Sequence, residues 1–571
     1  MRFLFFLLFL AFSQVSYSQT GTDGTFTGTI AQVRALNGSA YKQAATTDYG
    51  AGNWYKDTVD HTSSDNTGTI LVDMSGNRWK RIFSGPVFVN WFGAKGDGVA
   101  NDGPAIQSCF DNAAPYQTIS FNKGTYKFDS VAMIRTNINI AGNKANLLGT
   151  INVGNDTAKT YNSIISDCTF TLSGNAIQIK NCRKLKITGN VFNGCDKSIY
   201  VKKGAGGAHY NAMIEIIDAN YFNDVNYCFY VDRATASSWL TTSDCSFSGN
   251  VANNALITAV YCNGIDGLRY ENNTIFMPST MSQRANKVNH LKIITQADWV
   301  IVSNNNFFES GEESIAVENC KNLNISGNNF AWCGQKGVYS LIKASGTITD
   351  LVMNVSGNII NKFSGNVVEI DSTTYGQVNV TGNTINYANT FTNYFGSQNL
   401  ALINHYIIKA GNAFTQYFQK NNYNSIANLK VFYKTGIVSN YESWGNYVAE
   451  SNMSKTITTV NNTTPVDLLG VLDAAANTST YGGTIVINAK NSASSSANTT
   501  TYYIMVNKSS TSTSPVLSVI SSLGLTSGAA ASHPSFTFSL SANRLYATPV
   551  NLTSGTFYFY SKSQGNLILT E

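Results

Sequence analysis

Between residues 118 and 450 one short pattern keeps returning: Gly-Asn-x-Phe, a polar turn, then a brief apolar strand. Gly189-Asn190-Val191-Phe192 is one copy and Ala219-Asn220-Tyr221-Phe222 the next. Gly249-Asn250, Gly327-Asn328-Asn329-Phe330, Gly357-Asn358, Gly382-Asn383 and Gly411-Asn412-Ala413-Phe414 continue the series. Copies about 23 to 32 residues apart are the signature of a solenoid, in which each unit buries its apolar face only against the next. The register inside the unit repeats as well. Phe170, Phe192, Phe222 and Phe330 each precede by nine positions an apolar strand residue: Ile179, Val201, Val231 and Tyr339. Thr169–Cys182 and Asn306–Cys320 match closely, and each runs on to a second cysteine, Cys195 and Cys333. This pattern predicts a parallel β-helix with a phenylalanine column, an Ile/Val column and an asparagine column, the asparagines bonding from coil to coil. Asn190, Asn220, Asn328 and Asn412 are expected in that one column. An antiparallel sandwich would instead show hairpin turns every ~8–12 residues.

Composition agrees. Charged residues are only 12%, about half the usual share, while aromatics are also 12%, so neither disorder nor an Ala/Leu/Glu/Lys-rich helical bundle fits. The formal net charge of +5 over 571 residues is not the basic stripe of a nucleic-acid binder, and no nucleic-acid partner is expected. The nine cysteines are an odd number and form no C-x-x-C pair, so no zinc, other metal or cofactor is expected. Cys182 with Cys195 and Cys320 with Cys333 read as ladder residues, with a disulfide left open.

The chain divides by pattern. Residues 1–19 read as a secretory signal peptide: Arg2, the apolar run Phe3–Phe12, then the small-x-small site Ser16-Tyr17-Ser18. Residues 20–85 form a polar, β-rich leader, an attachment region, with strands around the turn Met74–Asn77. Residues 86–454 form the β-helix, opened by a short helix at Pro104–Ala113 with Asp102 as its expected N-cap. From 455 to 571 the repeat is lost, and alternating strands such as Ser535–Leu540 and Gly555–Ser561 predict a β-sandwich-like domain.

The stretch Trp91-Phe-Gly-Ala-Lys-Gly-Asp-Gly-Val-Ala-Asn-Asp-Gly-Pro-Ala-Ile106 resembles the opening motif of the pectate-lyase-like superfamily of right-handed β-helices. Ile30–Leu36, Asp65–Thr69 and Gly76–Ile82 resemble the N-terminal region of bacteriophage tailspikes, and Pro534–Phe538 with Ser554–Phe559 resembles domains that end such spikes. The resemblance implies an all-β, right-handed parallel β-helix, and the Gly-Asn-x-Phe repeat predicts about nine to twelve coils from roughly 118 to 450. The resemblance further implies a homotrimer that binds, and often cleaves, bacterial or algal surface polysaccharide. Other virion or cell-surface proteins would be held through the N-terminal region. The signal-like N-terminus keeps a free secreted polysaccharide lyase or glycoside hydrolase as the alternative. The Asn-Thr-Asp, Asp-Asp and Gly-His-Gly series of polygalacturonases is missing from the repeats. So are the pectate-lyase Trp-x-Asp-His and Arg-x-Pro-x-x-Arg patterns, so hydrolysis, elimination and binding alone all stay open.

In so charge-poor a solenoid, clustered charge marks candidate chemistry. Glu309, Glu312, Glu313 and Glu318 fall within one coil; Asp232 follows Val231, and Asp371 follows Ile370, at a matching register. Paired carboxylates can protonate a glycosidic oxygen and activate water or stabilise the oxocarbenium ion. Arg233, Arg269, Arg284 and His290 form a second group, suited to a uronate carboxylate and its α-proton. Tyr210, Tyr227, Tyr230, Trp239, Tyr261, Trp299 and Trp332 are candidates for stacking on sugar rings. Asp97 and Asp102 are read as turn and cap residues rather than as a metal pair.

Overall fold

A computed structural model describes residues 24–386, apart from 39, 156–158, 203–211, 214, 233–241, 277–288, 348–349, 372–373 and 375, and strand segments between 391 and 570. The expected signal segment, Tyr210, Arg233, Trp239, Arg284 and Asn412 lie outside the described residues.

The N-terminal unit is a five-stranded sheet with the short helix Ile30–Arg34. Thr29 caps that helix, accepting from the Gln32 amide, while the Gln32 side chain accepts from the Thr29 amide. Thr25–Gly28 pairs in parallel with Gln43–Thr46; the remaining pairings are antiparallel, including the expected hairpin Ile70–Val72 with Arg78–Arg81. Trp54 and Trp79 fill its core, their indole N–H groups bonded to Thr46 Oγ1 and Asp73 Oδ2, each at 3.1 Å. The unit is clamped to the β-helix through Arg81. Its guanidinium lies 4.6 Å from the ring centroids of both Trp54 and Trp91 and donates to the carbonyls of Gly68 and Ala51. Burial draws its pKa down to about 10.

Asp97 makes the expected turn, accepting from the amides of Val99 and Ala100. Asp102 departs from expectation. It precedes the helix Gly103–Asn112 but makes no side-chain cap bond; its buried carboxylate reaches back to the amides of Lys95 and Gly96 and pins the glycine turn.

Then comes the solenoid, of about ten turns. Its strands stack in three parallel faces. The first face runs through Thr118–Ser120, Thr160–Ser166, Cys182–Thr188 and Leu351–Ser356. The second runs through Thr169–Thr171, Val191–Asn193, Asn306–Phe308 and Asn329–Cys333. The third runs through Ile177–Ile179, Lys197–Val201, Ile315–Glu318 and Val368–Ile370. Alternation turns every second side chain inward, so like stacks on like. Phe170, Phe192 and Phe222 are in register with ring centroids 5.2 and 5.0 Å apart. Ala252 and Ile275 interrupt that column, and the aromatic stack passes instead through Phe247 and Tyr270 to Phe307 and Phe330. Each stacked pair adds about 0.5–1.5 kcal/mol beyond the area it buries.

The asparagine column is longer than expected. Asn190, Asn220, Asn250, Asn273, Asn305, Asn328, Asn358 and Asn383 are all buried. From Asn190 to Asn358 the Asn amide and carboxamide N–H donate to the Oδ1 of the next asparagine, as Asn305 does to Asn328 at 2.9 Å. The residue before each asparagine is left-handed: Gly189 at φ 67°, Ala219 at 53°, Asn272 at 58°, Asn304 at 55°, Gly327 at 67°. The Asn272-Asn273 and Asn304-Asn305 copies escape a search for Gly-Asn because asparagine replaces glycine where φ must be positive.

Ile179, Val201 and Val231 share the inward column of the third face as expected, but Tyr339 does not. The residue paired with Val317 is Ala344, because residues 334–341 form an added loop that holds Tyr339 half-buried. All nine cysteines are buried free thiols, which settles the disulfide question for the described chain.

Beyond residue 450 the described strands form two antiparallel sheets. Val516–Leu523, Thr499–Lys508, Tyr481–Asn491, Thr556–Gly565 and Asn452–Thr458 make the larger; Ser535–Ser541, Arg544–Val550, Val466–Asp473 and Leu567–Thr570 make the smaller.

Candidate glycan-binding face

The outward side of the third face gathers the most chemistry. Tyr200, Tyr230 and Tyr261 occupy one outward column on successive coils, each between two inward apolar residues, and Tyr227 sits beside them. Tyr230 and Tyr261 stack at 4.7 Å, while Tyr227 meets Tyr230 edge-on at 4.9 Å and Tyr200 meets Tyr230 at 5.5 Å. The Lys197 ammonium lies over the rings of Tyr200, Tyr227 and Tyr230, at 5.0 Å from the last, and is bonded to Asp196 at 2.7 Å. Asn226 donates to the other oxygen of Asp196. The Tyr200 hydroxyl donates to Asp232 at 3.4 Å; burial, then the Asp232 charge, pushes its pKa up to about 12. Burial raises those of Tyr227, Tyr230 and Tyr261 as well.

Val231, Val317 and Ile370 are inward on this face, so the residues after them, Asp232, Glu318 and Asp371, line its edge toward the first face. Three strand steps separate Asp232 from Glu318, about 14 Å at ~4.8 Å per step. That exceeds the ~5–9.5 Å between the two carboxyls of a glycosidase pair. Glu318 and Asp371 are two steps apart, about 10 Å, and Asp371 is bound into a turn through the Gly346 amide and the Thr374 hydroxyl.

The acidic coil assembles at the other edge of the same face. Glu309, Trp332 and Lys362 follow one another on consecutive coils, all at positive φ (66°, 60° and 56°), with the Lys362 ammonium 4.0 Å from the Trp332 ring centroid. Glu312 pairs with Lys336 at 3.4 Å and Glu313 with Lys343 at 3.8 Å. Tyr339 stands near both acids, and burial together with their charge raises its pKa.

The structure therefore brings Glu309, Glu312, Glu313 and Trp332 to one edge, and Asp232 and Glu318, beside the tyrosines, to the other. Arg269 is exposed on the first face, and Trp299, 65% exposed, begins a first-face strand segment; neither joins these groups. His290 is a correction. It is 0% exposed, stacked on Phe307 at 4.9 Å, with Nδ1 bonded to Ser314 and Nε2 to the Phe308 carbonyl. The amides of both His290 and Leu291 donate to the Ser314 carbonyl, a bulge that turns both side chains inward and takes the imidazole out of reach of a polymer outside. Among the described residues no cluster of His, Cys, Asp and Glu could hold a metal ion.

Sequence reasoning missed Tyr200, Lys197 and Asp196. The signal was present: Ile199-Tyr200-Val201, Phe229-Tyr230-Val231 and Val260-Tyr261-Cys262 repeat one apolar–Tyr–apolar triplet at coil spacing.

The fold is a parallel β-helix whose third face carries a cluster of tyrosines edged by carboxylates. Residues 87–157 match the family described as rhamnogalacturonase A/epimerase, pectate lyase-like. Residues 20–84 match the phage tail protein small four-stranded β-sheet domain. Over 99 residues the chain is 30% identical to a capsule K2-specific depolymerase of Klebsiella phage vB_KpnP_KpV74, a stretch that is 17% of this chain and 16% of that protein. The tailspike protein of Acinetobacter baumannii phage AM24 is similar with a TM-score of 0.45 and 13% identity, over 95% of this chain and 94% of that one. The tailspike of Acinetobacter baumannii bacteriophage Fri1, a capsular polysaccharide depolymerase, gives 0.42 and 10%, over 96% and 100%.

Proposed function

We propose that this chain is a tailspike-like protein that binds a bacterial surface polysaccharide along the third face of its β-helix and depolymerises it. The observation that carries the reading is the tyrosine platform. Four phenol rings in mutual contact on an outward face, edged by Asp196 and Asp232, offer the flat apolar surface and the acceptors that sugar rings require. The match of residues 20–84 to a phage tail domain supports attachment to a virion. The finer reading adds a parallel homotrimer and export through the apolar run at residues 3–12. Light scattering tests the trimer, and a monomer mass near that of one 61.8 kDa chain removes it.

The wide spacing of Asp232 and Glu318 favours the acidic edge for bond cleavage, where Glu309, Glu312 and Glu313 share one coil. Incubation with a panel of capsular polysaccharides distinguishes the chemistries. New reducing ends alone mean hydrolysis, reducing ends with the absorbance of unsaturated uronates mean elimination, and retention without either means binding only. Glu312→Gln and Glu313→Gln are expected to reduce cleavage while leaving the thermal transition nearly unchanged, since both ion pairs are partly exposed. Full cleavage by the Glu309/Glu312/Glu313 triple Gln variant removes this edge from the mechanism.

A further inference from the structure

Resting on the reading of the acidic edge as the place of bond cleavage, we infer that buried His290 is a positioning residue: it ties together the two ends of the turn that carries Glu309, Glu312 and Glu313. The imidazole comes from the preceding coil, one rung before Ser314. Its Nδ1 is 2.7 Å from the Ser314 hydroxyl and its Nε2 3.0 Å from the Phe308 carbonyl. Phe308 immediately precedes Glu309 and Ser314 immediately follows Glu313, so one rigid ring spans the mouth of the acidic turn. The partners fix the tautomer. A carbonyl only accepts, so Nε2 carries the proton, and Nδ1 accepts from the Ser314 hydroxyl. Stacking on Phe307 at 4.9 Å sets the plane of the ring.

The middle of the turn is anchored from the other side. The buried Ser310 hydroxyl donates to the Glu312 carbonyl at 2.8 Å and accepts from the Gly334 amide, while the amides of Gln335 and Lys336 donate to the carbonyls of Ser310 and Gly311. Those bonds hold the turn to the following coil; the bonds to His290 hold its ends to each other. The corner position of His290 carries Ser198, Cys228, Ala259, Leu341 and Val367 on other coils. None of these side chains is both long enough and polar enough to reach two ends of a turn. Among the described turns between the second and third faces, three carboxylates occur only in the one that His290 spans. Displacing a reacting group by about 1 Å can cost roughly 100-fold in rate. Loss of the bridge lets Glu309 and Glu313 shift relative to each other, which lowers turnover. The tyrosine platform lies on earlier coils, so affinity for the polymer is kept.

The test measures kcat and KM of the full chain on a capsular polysaccharide that it cleaves. His290→Phe keeps the ring stack and removes both bonds; kcat is expected to fall roughly tenfold or more, with KM within about twofold of wild type. His290→Gln supplies one donor and one acceptor again and is expected to recover most of the turnover. Ser314→Ala leaves the imidazole in place and is expected to lower kcat in the same direction, and it decides the matter if His290→Phe does not fold. Asn305→Ala, on the coil of the acidic turn, is the control for lost stability alone: it is expected to lower the thermal transition and keep kcat within about twofold. Unchanged kcat in Ser314→Ala and in any folded His290→Phe, or an equal loss in Asn305→Ala, overturns the inference while leaving the acidic edge intact. Full cleavage by the Glu309/Glu312/Glu313 triple Gln variant, or a wild-type chain that cleaves no polymer of the panel, overturns the edge and the inference with it.

Discussion

Asn305→Ala isolates what the asparagine column contributes. The Asn305 carboxamide makes four bonds: Nδ2 donates to Asn328 Oδ1 at 2.9 Å and to the Tyr270 carbonyl at 2.7 Å, while Oδ1 accepts from the Asn273 amide and Asn273 Nδ2, both at 2.9 Å. Alanine removes all of them. Asn328 Oδ1 keeps the Asn305 amide as donor, and Asn273 Nδ2 keeps the Phe247 and Glu271 carbonyls. The Asn273 amide loses its acceptor at a site 0% exposed, and the Tyr270 carbonyl loses a donor. One orphaned buried donor costs about 1–3 kcal/mol and each lost ordinary bond about 1. Counting only the orphaned Asn273 amide and the bond lost at the Tyr270 carbonyl, since the other two partners stay satisfied, the expected loss is about 2–4 kcal/mol, or 30- to several-hundredfold in the folded-to-unfolded ratio. Asn253→Ala is the control. Its Nδ2 donates at 3.0 Å to Asn223 on the outer surface, where substitution changes stability by no more than ~0.5 kcal/mol. Guanidinium unfolding followed by circular dichroism reads both variants. Unfolding rates are measured alongside, because long solenoids are held as much by kinetics as by equilibrium. Equal midpoints for Asn305→Ala and Asn253→Ala would refute the claim that the column holds the coils together.

Other outcomes follow from the same packing. Ala219 is held at φ 53°, where a Cβ is strained, so Ala219→Gly is expected to raise stability by about 0.5–1 kcal/mol, against the usual direction of such a change; a lower midpoint contradicts it. Burial raises the thiol pKa at each cysteine for which a shift is resolved, Cys195 to about 12 and Cys109, Cys168, Cys262 and Cys320 higher. A thiol reagent at pH 8 should therefore label almost none of the nine until denaturant is added. Arg81→Met should loosen the clamp between the N-terminal sheet and the solenoid, since it removes the cation held against both Trp54 of the sheet and Trp91 of the β-helix segment. Faster proteolysis between residues 82 and 90, with an unchanged solenoid transition, is the expected readout.

The fold was legible because a solenoid writes its geometry into the sequence many times. Asn190, Asn220 and Asn328 stand in one column, and Phe170, Phe192, Phe222 and Phe330 project from one face, because coil spacing and strand parity are both conserved by the packing. Where the pattern misled, a local device had changed the count. The added loop at 334–341 moved Tyr339 out of the inward column and put Ala344 in register with Val317. Asn272 and Asn304 hid two copies by supplying the left-handed turn that glycine supplies elsewhere.

The site was less legible because sequence gives the face of a residue only while alternation holds. His290 shows why. Two successive inward residues open the third-face strand in one coil after another: Ser198 and Ile199, Cys228 and Phe229, Ala259 and Val260, Ser314 and Ile315, Val367 and Val368. The first of each pair turns the corner, and it is mostly small. His290 with Leu291 occupies that same pair of positions, so its ring is core and its polarity is met by Ser314 and the Phe308 carbonyl. Counting back from Leu291 by strict alternation would set the imidazole outside. Aligning the coils first would have set it inside, and would have drawn Tyr200 into the column of Tyr230 and Tyr261 by the same step. In a repeat of this kind the function of a side chain is thus read from what its equivalents are on the neighbouring coils. A polar residue among small buried ones is part of the core, whereas a run of tyrosines where other coils carry Gln178, Lys292 and Glu369 sets those coils apart, and it is there that the proposed glycan face lies.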